Sequence, residues 1–315
     1  MQVAPAPALP RARIAVLGLG GVGGVIAART GAVGVATART AAAVQARGLV
    51  VSDPAGTTTN LIEVVEVLEQ PVELLIVAVK AHMLDAALER VSTVSVDEDT
   101  LVLPLLNGLE QVERIRVAFT RGGAGQSARL VAAGSIGGFE AHVLEPGVIV
   151  QRSAGGVIRA ASDALGPRAL GARLAPLRAP GLELEVVEGE RAVLWEKVAR
   201  LAVLAPATVA SGAPVGALRD DPRWAARLRA GIEEAVRVAE SEGILLDPAA
   251  QWAMIQAMAP DLTTSAARDA AAGRASELDA ITGAVVRAAR SAGVATPTLD
   301  GLLEEAEAAC RARSR

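Results

Sequence analysis

The sequence predicts an α/β domain followed by an all-helical domain. In the first half, short apolar runs alternate with helical patterns, as they do in parallel sheets covered by helices. From about Glu188 onward the strand patterns stop, and apolar residues recur at helical spacing. A chain of 315 residues is long enough for two separate cores. We therefore predict a disordered leader over residues 1–10, an α/β domain over 11–188 and a helical domain over 189–315.

The strands of the α/β domain are predicted from short apolar runs bounded by glycine, proline and polar residues. Asp53-Pro-Ala-Gly56 is typical of a turn between two extended stretches. Two longer extended runs, residues 129–135 and 141–151, are separated and interrupted by glycine-containing turns, and we expect antiparallel strands on one edge of the sheet. The main candidate strands are residues 13–17, 34–37, 74–79 and 101–105.

Four patterns with apolar residues at helical spacing predict the helices of the second domain. Turn signals separate them at Ser211-Gly-Ala-Pro214, Asp247-Pro248 and Thr296-Pro297. The predicted helices are residues 192–209, 221–242, 248–258 and 275–292.

The composition argues against several classes of function. Only 2% of the residues are aromatic and none is tyrosine, so base-stacking platforms for single-stranded nucleic acid are not expected. A net charge of −4 without a long basic run also argues against a nucleic-acid partner. Residues 14–28 are uncharged, but the segment is rich in glycine and shorter than the roughly 20 residues of a membrane span. We therefore expect no contact with nucleic acid or membrane.

The single cysteine indicates a reducing compartment, and the two histidines do not indicate a metal site. Cys310 is the only cysteine and cannot form an internal disulfide, which fits a cytoplasmic protein. His82 and His142 stand apart from cysteine and from paired acidic residues. Because metal sites need several such ligands together, no metal site is predicted.

A glycine-rich motif follows the first predicted strand and opens a helical pattern. Its sequence is Gly18-Leu-Gly20-Gly-Val-Gly23. In this context Gly18 permits a tight turn, Gly20 lets a pyrophosphate approach the backbone, and Gly23 allows close packing of helix on sheet. The helix N-terminus attracts the phosphate charge. The motif predicts dinucleotide binding; the alternative is a glycine-rich turn in a domain that binds no nucleotide.

The residues after the second predicted strand favour NADP over NAD. An acidic residue about 20 positions after the motif would bind the ribose 2′-hydroxyl of NAD, but none occurs between Gly24 and Gln45. Arg39 stands there instead and can pair with a 2′-phosphate. The alternative is that Arg39 is a solvated surface residue.

The two lysines, Lys80 and Lys197, are unusual because the chain has 31 basic residues and the others are arginines. An ammonium changes its protonation readily when it is desolvated, whereas a guanidinium stays charged. Lys197 lies in the helical pattern Leu194-Trp-Glu-Lys-Val-Ala-Arg200 and is the candidate proton donor. The alternative is that these two lysines persisted by chance.

An ordered set of motifs resembles the ketopantoate reductase (2-dehydropantoate 2-reductase) family over nearly the whole chain. The glycine motif at Gly18 is the first member of this set. The other members are Val77-Ala-Val-Lys80-Ala, Asn107-Gly108, Leu194-Trp-Glu-Lys197, Thr264-Ser265 with Asp269, Glu277-Leu-Asp279-Ala-Ile-Thr-Gly283 and Gly293-Val-Ala-Thr-Pro297.

The resemblance implies a Rossmann domain that carries NADPH and a helical domain that closes over a 2-keto acid. Lys197 would be the general acid that protonates the carbonyl oxygen, and Glu277 would orient a substrate hydroxyl and hold the environment of the lysine. Asn107 and Ser265 would hydrogen-bond the substrate. Asn107 would also contact the cofactor, and Lys80 would line the cofactor side of the cleft.

The chain departs from the family at three substrate-binding positions. The family places asparagines four, eight and eighteen residues after the catalytic lysine, where this chain has Leu201, Ala205 and Val215. Each lost hydrogen bond would cost about 0.5–1.5 kcal/mol of binding. These replacements favour a more apolar keto compound; alternatively the helix register is shifted, or Thr208 or Ser211 compensates.

The sequence therefore predicts an NADPH-dependent reductase of ketopantoate or a related 2-keto acid, with a small keto compound as its partner and a homodimer as a possible assembly. One alternative keeps the fold and cofactor but changes the substrate to a more apolar ketone or imine. The other is a dinucleotide-binding sensor without catalysis. Lys197, Ser265 and Glu277 argue against the sensor, because a pure binder needs no proton donor.

Overall fold

The computed structural model of the protein describes residues 12–120 and 130–313. The predicted leader, residues 1–10, and the first residue of the predicted strand 129–135 lie outside the described residues. The chain forms two compact units: one contains the chain as far as Leu106 together with Val112–Glu190, and the other contains Asn107–Gln111 and the chain from Arg191 onward. The short segment Asn107–Gln111 therefore belongs with the helical unit, although it interrupts the α/β unit in sequence.

The first unit is a mixed α/β structure. Its helices are α1 (Gly21–Thr30), α2 (Ala38–Arg47), α3 (Leu84–Leu88), α4 (Gln111–Thr120) and α5 (Pro167–Leu174). Its strands are β1 (Ala12–Leu17), β2 (Val33–Val35), β3 (Leu49–Asp53), β4 (Gly56–Asn60), β5 (Val64–Val65), β6 (Val72–Val77), β7 (Leu101–Pro104), β8 (Leu130–Val131), β9 (Ala133–Gly137), β10 (Ala141–Glu145), β11 (Val148–Gln151), β12 (Gly156–Ala161) and β13 (Leu182–Val186).

The main sheet of this unit is parallel and has the strand order β5-β2-β1-β6-β7-β8. Its central strands are buried on both faces, which explains their continuous apolar sequences. The chain runs outward from β1 in one direction and then from β6 in the other. The carboxyl ends of β1 and β6 therefore form a topological switch point, where doubly wound sheets bind ligands.

The prediction that the later strands extend the main sheet as antiparallel strands is wrong. β10 and β11 form a hairpin around Glu145-Pro-Gly147, but β11 pairs in parallel with β3, and β3 pairs with β4. These four strands make a separate sheet, and β9, β12 and β13 make a third. Of this region, β8 alone among the described strands reaches the main sheet, and it runs parallel to β7. Extended patterns show which residues are strands, but their partners lie far away in the sequence.

All regular secondary structure in the described part of the second unit is helical. Its elements are α6 (Glu190–Ser211), α7 (Val215–Asp220), α8 (Pro222–Ser241), α9 (Pro248–Gln256), α10 (Ser265–Ala271), a π turn (Asp279–Gly283), α11 (Ala284–Ala292) and α12 (Pro297–Arg313). α7, α10 and α12 were not predicted, and the predicted helix 275–292 has a π turn where regular helix was expected. Pro297 begins α12 instead of breaking a helix, because proline is favoured in the first turn.

Candidate functional site

The three motif glycines have the conformations and spacing that a dinucleotide loop requires. Gly18 follows β1 with φ of 98°, and a Cβ there would lie 2.5 Å from Val79 Cγ1. A Cβ on Gly23 would lie 2.0 Å from the Gly18 carbonyl oxygen, so only glycine fits there. Gly20 differs, because a Cβ there would meet nothing closer than the Ala78 carbonyl oxygen at 3.9 Å. The loop is therefore tight at Gly18 and Gly23 and open at Gly20.

The open position coincides with the beginning of α1. Gly20 is the N-cap of this ten-residue helix and supplies no side-chain cap for its N–H groups. The first N–H groups of a helix lack partners within the helix and carry a partial positive charge. A pyrophosphate is the kind of group that such a site binds.

Lys80 follows the carboxyl end of β6, and Arg39 follows that of β2. These two strands lie on either side of β1 in the main sheet. Lys80 precedes the short 3-10 turn Ala81–Met83, three residues after β6 ends. Arg39 is exposed in the first turn of α2 and lines an open depression of about 240 Å³ together with Arg47. Arg39 makes no hydrogen bond or ion pair with another residue of the described ranges 12–120 and 130–313, so its guanidinium is available to a ligand.

In the helical unit, two predicted site residues that are far apart in sequence are in contact. The Asn107 amide donates through Nδ2 to Oε2 of Glu277 at 3.3 Å. Glu277 is buried and lies just before the π turn. The contact joins residues 170 positions apart. Asn107 thus presents its amide beside a buried carboxylate.

Lys197 lies on α6 and is close enough to Glu277 for their charges to interact. Burial lowers the pKa of Lys197 from 10.5 to about 8, the Glu277 carboxylate opposes this change, and the charge of Arg200 adds to it. A lysine with a pKa of about 8 exists in both protonation states near neutral pH. It can therefore donate a proton and recover it, which an ordinary surface lysine does poorly.

The other predicted substrate residues have different surroundings. Ser265 is partly buried and begins α10, one residue after the cap residue Thr264. Ala205 and Val215 are buried in the helical unit, whereas Leu201 keeps part of its surface exposed. Of these three replacements, Leu201 is therefore the one with surface that could contact a ligand.

Arg200 belongs to the same charged cluster as Lys197 and Glu277, and it was not among the predicted site residues. Arg200 stands three residues after Lys197 on α6, and its Nη1 donates to Gln251 Oε1 at 3.0 Å. Residues three apart on a helix lie on the same face. This spacing is the signal that could have identified it.

Two absences apply to the described residues only. Residues 12–120 and 130–313 contain no cluster of three or more histidine, cysteine, aspartate or glutamate side chains that could hold a metal ion. In the same ranges no helix has both the length and the apolar character needed to cross a membrane.

Comparison with known proteins assigns the family. Residues 14–162 match the model of the family described as ketopantoate reductase PanE/ApbA, and residues 191–309 match the model of its C-terminal region. A 2-dehydropantoate 2-reductase of Mycobacterium tuberculosis is 32% identical over 236 residues, which cover 74% of this chain and 75% of that protein. The chain belongs to the ketopantoate reductase family. The family suggested by the sequence motifs is thereby confirmed.

One further relative is similar to this chain in sequence, and two solved structures are similar to it in fold. A 2-dehydropantoate 2-reductase of Halobacterium salinarum is 29% identical over 51% of this chain, and the match spans about half of that relative, 54% of its length. The crystal structure of a ketopantoate reductase from Ralstonia eutropha JMP134 has a TM-score of 0.80 at 23% identity, covering 96% of this chain and 100% of that chain. D-mandelate dehydrogenase with NADH and anilino(oxo)acetate has a TM-score of 0.85 at 20% identity and the same coverage. At these identities the structures establish the fold alone, and the predicted α/β and helical architecture of the ketopantoate reductase family is confirmed.

Proposed function

We propose that this member of the ketopantoate reductase family reduces a 2-keto acid with NADPH and uses Lys197 as the general acid. The observation that carries the proposal is a lysine on α6 whose pKa is lowered by burial to about 8, next to the buried Glu277 carboxylate. Glu277 in turn accepts a hydrogen bond from Asn107. A proton donor, a carboxylate that tunes it and an amide thus lie together in one unit.

Reduction of a carbonyl requires a hydride at carbon and a proton at oxygen. A bound reduced nicotinamide would supply the hydride. The Lys197 ammonium stabilises the negative charge that develops on the carbonyl oxygen and then donates its proton there. Glu277 keeps part of the lysine population protonated, since its charge raises the pKa that burial lowers. Asn107, whose amide donates to Glu277, and Ser265 at the start of α10 would hydrogen-bond the substrate.

The α/β unit supports NADPH as the cofactor. The open backbone at Gly20 and the start of α1 suit the pyrophosphate, and Lys80 follows the adjacent strand β6. Arg39 has no partner among the described residues and stands where a 2′-phosphate is recognised in such domains. This favours NADPH over NADH.

The substrate we propose is a 2-keto acid that is less hydroxylated than ketopantoate. Otherwise it is ketopantoate itself, bound through groups other than the missing asparagines. The exposed part of Leu201 supports an apolar substrate, because a leucine cannot replace the hydrogen bonds of an asparagine. An apolar ketone or imine is the alternative that the same residue favours. We also keep a homodimer as a prediction about assembly.

The test is NADPH oxidation with ketopantoate and with a panel of 2-keto acids that lack the terminal hydroxyl, using wild type and Lys197→Ala. We expect the variant to bind NADPH normally and to lose about 100- to 10,000-fold in turnover, the range for removing a general acid. Tight NADPH binding without oxidation of any carbonyl substrate would instead identify a sensor. Turnover that persists in Lys197→Ala would reject the assignment of the general acid.

A further inference from the structure

The segment Asn107–Gln111 touches the π turn of the helical unit without an intervening side chain. Gly108 has φ of 117°, and a Cβ there would lie 2.4 Å from the Ala280 carbonyl oxygen inside the π turn. This approach places the neighbouring Asn107 amide on Glu277. The hydrogen bond is 3.3 Å long, beyond the usual range of N–H···O bonds, so it holds the segment only weakly.

Arg287 on α11 joins the same two stretches of chain at a second point. Its Nε and Nη2 donate to the two carboxylate oxygens of Glu110 at 2.9 Å each. Its Nη1 donates to Oδ1 of Asp279 at 2.7 Å, and its Nη2 also donates to the Asp279 carbonyl oxygen at 3.2 Å. Glu110 follows Asn107 by three residues, and Asp279 follows Glu277 by two. The guanidinium therefore bridges both sides of the Asn107–Glu277 contact.

The planar fork of arginine suits this bridge. Two parallel N–H···O bonds fix the orientation of a carboxylate as well as its distance, which a lysine ammonium cannot do. A separate bond from Nη1 of Arg191 to the Leu109 carbonyl oxygen, at 2.9 Å, holds the middle of the segment. Arg287 is the side chain that links Glu110 of the segment to Asp279 of the π turn.

We propose that Arg287 is a positioning residue for the site: by bridging Glu110 and Asp279 it holds Asn107–Gln111 on the π turn and keeps the Asn107 amide on Glu277. The effect that we expect Arg287 to have on turnover rests on the proposed reductase function. The bridge itself rests on the contacts within the helical unit.

The bridge is too exposed to matter much for stability. The side chains of Arg287 and Glu110 are 42% and 46% exposed, and exposed ion pairs typically contribute 0–1 kcal/mol. Loss of Arg287 should therefore leave the protein folded but loosen the contact of the segment with the π turn, while the Arg191–Leu109 bond still holds its middle. The weak hydrogen bond from Asn107 to Glu277 is then lost, and the Glu277 carboxylate, less well oriented, acts less strongly on Lys197. Arg200, the other charged group acting on Lys197, does not depend on the bridge.

The test compares Arg287→Ala with Glu110→Gln, which remove opposite charges from the same bridge. If the ion pair acted only through its electric field, the two variants would shift the pKa of Lys197 in opposite directions. If it acts by positioning, both must lower that pKa, because both loosen the contact of the segment with the π turn. The pair Arg227–Glu305 is the matched control: it is also bidentate, at 2.9 and 2.6 Å, and its side chains are 33% and 51% exposed.

The pKa can be read directly by NMR of protein labelled at lysine Cε, because the chain contains only two lysines. Lys80→Arg assigns the signals, and Glu277→Gln shows that the method detects a change at the site. We expect Arg287→Ala and Glu110→Gln to lower the pKa of Lys197 by about half a unit or more, a part of the roughly one to three units that a close opposite charge contributes. Arg227→Ala and Glu305→Gln should leave it unchanged, and melting temperatures should stay close to wild type.

Two results would overturn the proposal. One is a shift of opposite sign in Arg287→Ala and Glu110→Gln. The other is no shift in either variant while Glu277→Gln produces one. Because the titration needs no substrate, it remains informative even if no 2-keto acid is reduced. Where turnover is measurable, the alkaline limit of the reductase reaction should move in the same direction as the pKa of Lys197.

Discussion

The glycine loop and the lysine cluster are built by different kinds of constraint. In the loop, the determinants are backbone ones: Gly18 needs a positive φ, and Gly23 has no room for a side chain. Both lie within six residues of one another. In the lysine cluster, Asn107, Lys197 and Glu277 come from distant parts of the sequence, and their chemistry depends on burial and charge. The loop is therefore sensitive to shape, and the cluster is sensitive to electrostatics.

The sharpest test of the steric side is Gly23→Ala, for which we expect the largest effect on cofactor binding. Its Cβ would lie 2.0 Å from a backbone oxygen, so the loop must move. We expect NADPH affinity to fall by at least about 100-fold, or about 2.7 kcal/mol. The measurement is NADPH binding by fluorescence, together with the melting temperature.

Gly20→Ala is the control for this variant. Gly20 has φ of −76°, which alanine adopts, and the added methyl has room within the protein. The fold should be unchanged, while NADPH binding weakens because the methyl occupies the approach of the pyrophosphate. Normal NADPH binding by Gly23→Ala would contradict the steric account of the loop.

Arg39→Ala tests the charged side chain that we assign to the 2′-phosphate of the cofactor. A charge-assisted hydrogen bond contributes roughly 1.5–3 kcal/mol, so the preference in kcat/KM for NADPH over NADH should fall by about 10- to 150-fold. Arg47→Ala is the comparison within the same depression. Arg47 is already held by the Pro146 carbonyl oxygen at 2.6 Å and by Glu145 at 2.8 Å, so it should matter little. If Arg47→Ala loses the preference for NADPH and Arg39→Ala keeps it, Arg47 and not Arg39 binds the 2′-phosphate.

The same contrast explains what the sequence could predict. The glycine spacing and the apolar run of β6 are local signals, so the loop, the parallel sheet and the helical character of the second unit could be foreseen. The separate sheet that joins β11 to β3 could not, because pairing between distant strands leaves no local pattern. Lys197 stood out because lysine is rare in this chain. Its pKa and the role of Arg287 could not be foreseen, since both depend on contacts between distant residues.

The pH dependence tests the electrostatic side directly. With Lys197 as the proposed general acid, reduction needs its protonated form, whose pKa is about 8, so kcat/KM for reduction should be level below pH 8 and fall about tenfold per unit above it. Oxidation of the 2-hydroxy acid should show the opposite trend. Because burial lowers the pKa from 10.5, the unfolded chain holds the proton more tightly between pH 8 and 10.5, and the contribution of Lys197 to stability rises with pH in that window.

Glu277→Gln sharpens this test, because the carboxylate raises the pKa of Lys197. Its removal should move the alkaline limit of reduction to lower pH, by about one unit for a close charge, which is roughly a fivefold loss of rate at pH 8. A pH profile identical to that of the wild type would show that Glu277 does not tune the lysine.

The smallest expected effect concerns Leu201→Asn, which introduces the asparagine that the resemblance to the family predicts at this position. Leu201 keeps exposed surface, whereas Ala205 and Val215 are buried, so a polar side chain is tolerated at 201 alone of the three. One regained hydrogen bond is worth about 0.5–1.5 kcal/mol, which should lower the KM for ketopantoate by roughly 2- to 10-fold. The KM for an apolar 2-keto acid should rise, since the pocket loses apolar contact. Ala205→Asn is the contrasting variant: an amide in this buried position destabilises the fold, because its polar groups lack partners in an apolar cluster. If Leu201→Asn leaves both KM values unchanged, residue 201 does not contact the substrate, and the choice between apolar and hydroxylated keto acids is made elsewhere in the helical unit.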